Sequence, residues 1–293
     1  MFYFSLTVTA FLLSYSLFLP SLALSYRLGA MDIPNTRKLH SFPVARGGGF
    51  AFFLTFCVLL AISHVEISLK ISLLLGGGTI FLVGFLDDTV TLSPFQKLAG
   101  EFGAAATFIF ASGEKDLLES VLTFAWIIFL TNAINLTDGL NGLAGGICSS
   151  EALCLGVIAL IFGNFDVLCC SLLLLGATLG FLPRNFPRAK IFMGDCGALF
   201  LGFTLAALSS HLVFESGSIV CLLAILLVFR VPTYDTNFSI IRRVIRGKNP
   251  FRADKGHFHH RLLQHGFSHE CATLALVTVS LFFGLVGIVI ASL

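Results

Sequence analysis

The stretch Ile71–Leu98, ISLLLGGGTIFLVGFLDDTVTLSPFQKL, decides how the chain is read. An uncharged run, Ile71–Leu86, leads directly into Asp87 and Asp88, and no basic residue follows before Lys97. A run of this kind suits a transmembrane helix held inside a bundle. Two carboxylates at its end are costly at a membrane boundary and so point to function.

The rest of the chain agrees with that reading. Of 293 residues 56% are hydrophobic and 12% charged, against about 25% charged in soluble domains, and mean hydropathy is +0.94. The expected fold class is all-α: a polytopic transmembrane helix bundle forming one integral-membrane domain over 1–293. A net charge of +2, without a basic block interleaved with aromatics, excludes nucleic-acid binding. The eight cysteines form no C-x-x-C pair and read as small hydrophobes. Phe2–Leu24 lacks a basic leader segment, so it reads as a retained span.

About ten spans are expected: Phe2–Leu24, Gly47–His64, Ile71–Leu86, Leu98–Ser112, Leu118–Leu136, Leu140–Phe162, Val167–Leu182, Gly197–Val213, Ser218–Val231 and Cys271–Leu293. Span parity then puts the longer polar loops, around 25–46, 87–97, 183–196 and 233–269, on one side with sixteen of the eighteen Lys and Arg residues. That side is expected to be cytoplasmic, with both termini outside. Seven of the nine Asp lie there too, whereas Glu66, Glu114, Glu119 and Glu215 lie opposite. Short, stiff carboxylates are what a metal site prefers, although Asp is also a common turn and cap residue.

Four polar cassettes carry the chemistry. In FLDDTVTLSPFQKL (Phe85–Leu98), Asp87 and Asp88 repel unless a cation or proton intervenes, which reads as a Mg²⁺ site or a paired acid and base; a polar helix end is the plain alternative. In TNAINLTDGLNGLAGG (Thr131–Gly146), Asn132, Asn135, Asp138 and Asn141 recur every third residue, so neighbours share a helix face and offer oxygens to a polyanion and its metal. Gly145 and Gly146 serve close approach or simple helix packing. In KIFMGDCGALF (Lys190–Phe200), Asp195 sits between Gly194 and Gly197, where helix N–H groups would cradle a phosphate that a carboxylate repels. A divalent cation resolves the conflict, which makes Asp195 the strongest metal-ligand candidate. In DKGHFHHRLLQHG (Asp254–Gly266), His257, His259 and His260 are flanked by Arg252, Lys255 and Arg261, with no zinc-finger spacing nearby, so they read as phosphate donors. Together these suit transfer of a phosphorylated group from a soluble nucleotide to a lipid carrier. A cation-coupled transporter, the rival class, would place carboxylates near mid-membrane. Only Glu101 and Glu151 lie well inside spans.

The ordered motifs DIPNTRKLH (Asp32–His40), Arg46 with Gly47–Gly49, FLDD, NAINLTDGLNGLAGG, FMGDCGALFLG and HFHH resemble those of the polyprenyl-phosphate N-acetylhexosamine-1-phosphate transferases. The similarity runs from about Asp32 to Gly266. It implies transfer of a sugar 1-phosphate from a UDP-activated N-acetylhexosamine, foremost UDP-GlcNAc, to undecaprenyl phosphate with release of UMP, which initiates a lipid-linked envelope polysaccharide. It implies Mg²⁺, with Mn²⁺ as a substitute, held by Asp195, Asp138 and Asn135. Asp87 and Asp88 would position or deprotonate the lipid phosphate. Asp138, His257, His259 and His260 complete the implied catalytic set, and Lys97, Asn135, Asn141, Arg46, Lys38, Arg252 and Arg261 the substrate contacts. The expected setting is the bacterial inner membrane, with a homodimer as the assembly to test. H-F-H-H is closer to the branch that starts O-antigen or teichoic acid synthesis than to the phospho-MurNAc-pentapeptide branch of peptidoglycan synthesis, which typically carries three consecutive His. Asn141 stands where many members have Asp.

Overall fold

A computed structural model describes residues 2–32, 43–113, 116–245, 247 and 256–293. Lys38 and Arg252, like most of the DIPNTRKLH motif, lie outside them. Among the described residues the chain forms helices α1 (Phe2–Ser16), α2 (Phe18–Leu28), α3 (Gly49–Ile62), α4 (Ile67–Val90), α5 (Pro94–Ser112), α6 (Leu117–Thr137), α7 (Leu143–Ile161), α8 (Phe165–Asn185), α9 (Gly194–Ser216), α10 (Ile219–Val228), α11 (Arg230–Ile245), α12 (Phe258–Gln264) and α13 (His269–Ala291). Two short strands, β1 (Met31–Asp32) and β2 (Val44–Ala45), pair antiparallel.

Local chemistry explains where the helices start. Asp116 accepts from Glu119 N at 2.9 Å at the head of α6, and Asn164 accepts from Val167 N at 2.8 Å at the head of α8. Helix α5 opens with a capping box, Ser93 and Gln96, and Pro94 in its first turn. Each device satisfies an N–H group that the helix itself leaves unpaired.

Central to the bundle is α9, buried along almost its whole length. It packs against α4 and α6, while α7 and α8 pack together and α1 lies on α8. Lipid offers apolar surface as readily as protein does, so close fit has to hold the helices together. Around α9 that fit is aromatic: Phe200 meets Phe53 edge-on at 5.1 Å and Phe56 at 5.6 Å. Gly84 brings α4 directly onto α9, since a Cβ there would lie 2.5 Å from the Cys196 Cα.

Six helices, α4, α6, α7, α8, α9 and α13, are long and apolar enough to cross a membrane. The pairs α1–α2, bent by 41°, and α10–α11, bent by 74°, raise the count to as many as eight. The two expected spans outside this count are the 14-residue α3 and α5, which carries Lys97 and Glu101. The expected span Ser218–Val231 corresponds to α10, after which the chain turns at Phe229 and continues as α11, with Pro232 in its first turn.

Candidate active site

Four helix ends meet at the basic end of the bundle: the last turns of α4 and α6 and the first turns of α5 and α9. The Lys97 ammonium joins them. Its Nζ lies 2.5 Å from Asp195 Oδ2, 3.2 Å from Asp87 Oδ2 and 3.2 Å from Asn135 Oδ1. Asn135 Nδ2 in turn donates to Asp195 Oδ1 at 3.2 Å. The other Asp87 oxygen accepts from Leu92 N at 2.7 Å, where the chain leaves α4. Asp195 is the most open of the joined carboxylates, with 34% of its side chain exposed against 13% for Asp87.

Asp88 differs from its neighbour. Its two oxygens accept from Asp195 N at 2.9 Å and Cys196 N at 3.0 Å, so a carboxylate from α4 caps the first turn of α9. This is a favourable place for an anion, where unpaired N–H groups and the positive end of the helix dipole coincide. The phosphate cradle expected at Gly194–Gly197 is therefore occupied by protein. Gly194 itself has φ +77°, and a Cβ there would meet Asp88 Oδ2 at 2.5 Å.

The three-residue series of the second cassette does not act as one face. Asn132 donates to Glu101, behind Lys97 on α5, and to the Ile128 carbonyl. Asn135 joins the Lys97 cluster. Helix α6 ends at Thr137, and Asp138 follows with a non-helical ψ of 58°. Asn141 points elsewhere: its Nδ2 donates to the Pro187 carbonyl at 3.2 Å in the loop before α9. An aspartate there would set an anion against a carbonyl oxygen, which gives the Asn at this position a local reason. Gly145 and Gly146 pack against Leu182 and Val277, the helix-packing alternative.

The Asp138 carboxylate has no hydrogen-bond or ion-pair partner among the described residues. Burial, followed by the charges of Asp195 and Asp88, pushes it up to about 7, and only Arg46 pulls the other way. Two carboxylates meet the one ammonium, and Asp88 and Asp138 lie near enough for their charges to be felt, a negative surplus that a divalent cation would balance, so the residues fit such an ion. Asp195, Asp138 and the amide oxygen of Asn135 would be the groups to hold it. Among the described residues no three Asp, Glu, His or Cys side chains converge into a finished cage; two carboxylates and an amide are what this end offers.

The His cassette is less open than its sequence implies. His257 and His259 are only 4% and 3% exposed. His257 Nδ1 lies 2.9 Å from Asp235 Oδ2, and the His259 ring covers Gly139, where a Cβ would come within 2.2 Å of its Nε2. Burial, followed by the charge of the neighbouring His260, pushes His259 down to about 4 against the pull of Asp235, a shift that favours the neutral imidazole. His260 is half-buried beside it, at 4.3 Å between ring centres. Arg261 lies over the Phe238 ring at 5.2 Å. Arg46 pairs with Asp32 at 2.7 Å, and its backbone is tied to Ala30 and to Phe192 just before α9. Asp235 had no expected role. Its one signal was its place among the Asp residues of the basic side.

Comparison with known proteins agrees with this geometry. Residues 70–213 match the model of glycosyl transferase family 4. The chain is 35% identical to the probable undecaprenyl-phosphate N-acetylglucosaminyl 1-phosphate transferase of Bacillus subtilis, over 92% of this chain and 79% of that protein. It is 33% identical to the undecaprenyl-phosphate alpha-N-acetylglucosaminyl 1-phosphate transferase of Thermotoga maritima, over 88% and 81%. A phospho-N-acetylmuramoyl-pentapeptide-transferase of Staphylococcus aureus is 32% identical, over 82% and 83%. From these matches the chain belongs to glycosyl transferase family 4 and is a phosphoglycosyl transferase of the membrane.

Proposed function

We propose that the enzyme transfers N-acetylglucosamine 1-phosphate from UDP-GlcNAc to undecaprenyl phosphate, in a Mg²⁺-dependent reaction that releases UMP at the cytoplasmic face of the bacterial inner membrane. The observation that carries this reading is the convergence of Asp87, Lys97, Asn135 and Asp195 beside the unpartnered Asp138. The names of the Bacillus and Thermotoga relatives supply the acceptor class and the sugar.

An oxygen of the acceptor phosphate forms a bond to the sugar-bearing phosphorus of the donor, and the bond to the bridging oxygen breaks, leaving UMP. The acceptor is already an anion, so it needs positioning and charge relief more than a strong base. Asp87 borders the acceptor position, and Lys97, held between Asp87 and Asp195, lowers the charge that two phosphates bring together. Asp195, Asp138 and Asn135 would hold the ion. When bound, Mg²⁺ or Mn²⁺ neutralises the diphosphate and stabilises the leaving oxygen. Arg46, His260 and Arg261, with Lys38 and Arg252, supply the remaining donors to the nucleotide.

A second donor, UDP-MurNAc-pentapeptide, is supported by the Staphylococcus relative. A panel of UDP-GlcNAc, UDP-GalNAc, UDP-QuiNAc and UDP-MurNAc-pentapeptide in a UMP-release assay separates the readings. The expected result is release from UDP-GlcNAc with undecaprenyl phosphate, abolished by EDTA; release that survives chelation would remove the metal from the account. Sidedness has a native reporter. Cys271, at the start of α13, is the exposed cysteine of the eight. An impermeant maleimide should reach it only from the cytoplasmic side.

A further inference from the structure

Asp235 stands on the second turn of α11, 5% exposed, just beyond the 74° break from α10. One oxygen, Oδ2, faces His257 Nδ1 at 2.9 Å, and the other accepts from Phe258 N at 2.9 Å. His257 is the residue before α12 and gives that helix no side-chain cap of its own. A carboxylate on another helix therefore caps α12. A carboxylate only accepts hydrogen bonds, so Nδ1 of His257 carries a proton.

From His257 the contact continues. The His257 and His259 rings lie parallel at 6.0 Å between centres, and His259 rests on Gly139, next to Asp138. Tyr234, one residue before Asp235, stacks on Phe258 at 5.8 Å, and Phe258 packs against the cluster formed by Leu140, Leu143 and Val231. Apolar packing brings α11 and α12 together. Among the described residues, the Asp235 carboxylate is the hydrogen-bond partner that sets the rotation of the His257 ring.

We propose that Asp235 is a positioning residue for the transfer reaction: through His257 it holds the His257–His260 turn, in one tautomer and one register, against the Asp138–Gly142 segment. This rests on the phosphosugar-transfer reading. Outer partners of this kind typically change rate by about 10- to 100-fold when altered.

The test uses the full chain in lipid nanodiscs with Asp235→Asn, Asp235→Glu, His257→Gln and the double variant Asp235→Asn/His257→Gln. Asparagine keeps the shape but must donate to His257 Nδ1, reversing the tautomer, while glutamate keeps an acceptor. The expected result is kcat/KM for UMP release, per folded molecule, reduced about 10- to 100-fold in Asp235→Asn, with partial recovery in Asp235→Glu. The double variant should be no worse than the more impaired single, because both act through one contact. Hydrogen exchange at Phe258–Gln264 should quicken by about 10-fold in Asp235→Asn, since the charged acceptor of the Phe258 N–H becomes a neutral amide oxygen. A kcat/KM within about twofold of the parent, additive losses in the double variant, or unchanged exchange would each overturn the assignment. Should Asp235→Asn fail to fold, the same comparison between Asp235→Glu and His257→Gln decides it. A parent enzyme that releases UMP from none of the UDP-sugars would sink the functional reading instead, and the exchange measurement would still judge Asp235.

Discussion

The two ends of the bundle use the same functional groups in opposite ways. At the end away from the Lys97 cluster, polar side chains chiefly cap the helices that start there. Asp116 caps α6 and Asn164 caps α8, and Glu66, itself the cap of α4, donates its N–H to Asp166 at 3.2 Å. At the Lys97 end, side chains from α4, α5, α6 and α9 reach across to one another, and one carboxylate, Asp138, has no partner among the described residues. A cap is satisfied by the backbone it starts and asks for nothing more. Converging carboxylates raise one another's proton affinity and call for a cation.

Predictions follow from that contrast in order of size. Asp195→Asn removes charge from the most open carboxylate of the cluster, and activity should fall by about 100- to 1000-fold with the folded protein retained. Full activity in this variant would place the centre elsewhere. Asp88→Asn leaves only one acceptor for the two N–H groups at the head of α9, so Asp195 loses its support. We expect about a 10- to 100-fold loss and weaker Mn²⁺ binding by electron paramagnetic resonance. If Mn²⁺ binding is unchanged, the cap and the cluster are separate structures.

The pH dependence is a third test. Asp138 sits at about 7 against an ordinary 3.8, so the cluster loses an anion as pH falls through 7. UMP release at limiting Mg²⁺ should fall in the same window, and saturating Mg²⁺ should move the midpoint downwards. Stability runs the other way. A carboxyl whose folded value is raised disfavours the fold as pH climbs from its unfolded value towards the folded one, so the metal-free protein should melt lower at pH 7 than at pH 5, and added Mg²⁺ should restore it. At the other end, Asp116→Ala should cost about 0.5–2 kcal/mol of stability and leave kcat/KM per folded molecule unchanged. A large loss of turnover there would mean that the two ends are coupled.

Much of this was legible in the chain itself. An uncharged Ile71–Leu86 followed by two carboxylates can only be placed economically at a membrane boundary, and the strong bias of Lys and Arg puts the four cassettes on one side. Asp195 and Asn135 were singled out by residue type and spacing and Lys97 by the family resemblance, and the structure brings the three side chains together. The division of labour between Asp87 and Asp88 was not legible. Consecutive residues on a helix point about 100° apart, so the first meets the Lys97 ammonium and the second turns into α9, and no property of the pair Asp-Asp says which is which.

Residue type, periodicity and charge bias thus determined an all-α membrane enzyme with its acids gathered at one end, because burial energies act on each residue whatever its distant neighbours are. Tertiary structure alone decided which oxygens are spent and which remain open. Asp88 is consumed by a helix start 107 residues away, Asn141 by the Pro187 carbonyl, and His257 by Asp235. Hydrogen bonds are short and directional, so their partners are set only when the helices have packed.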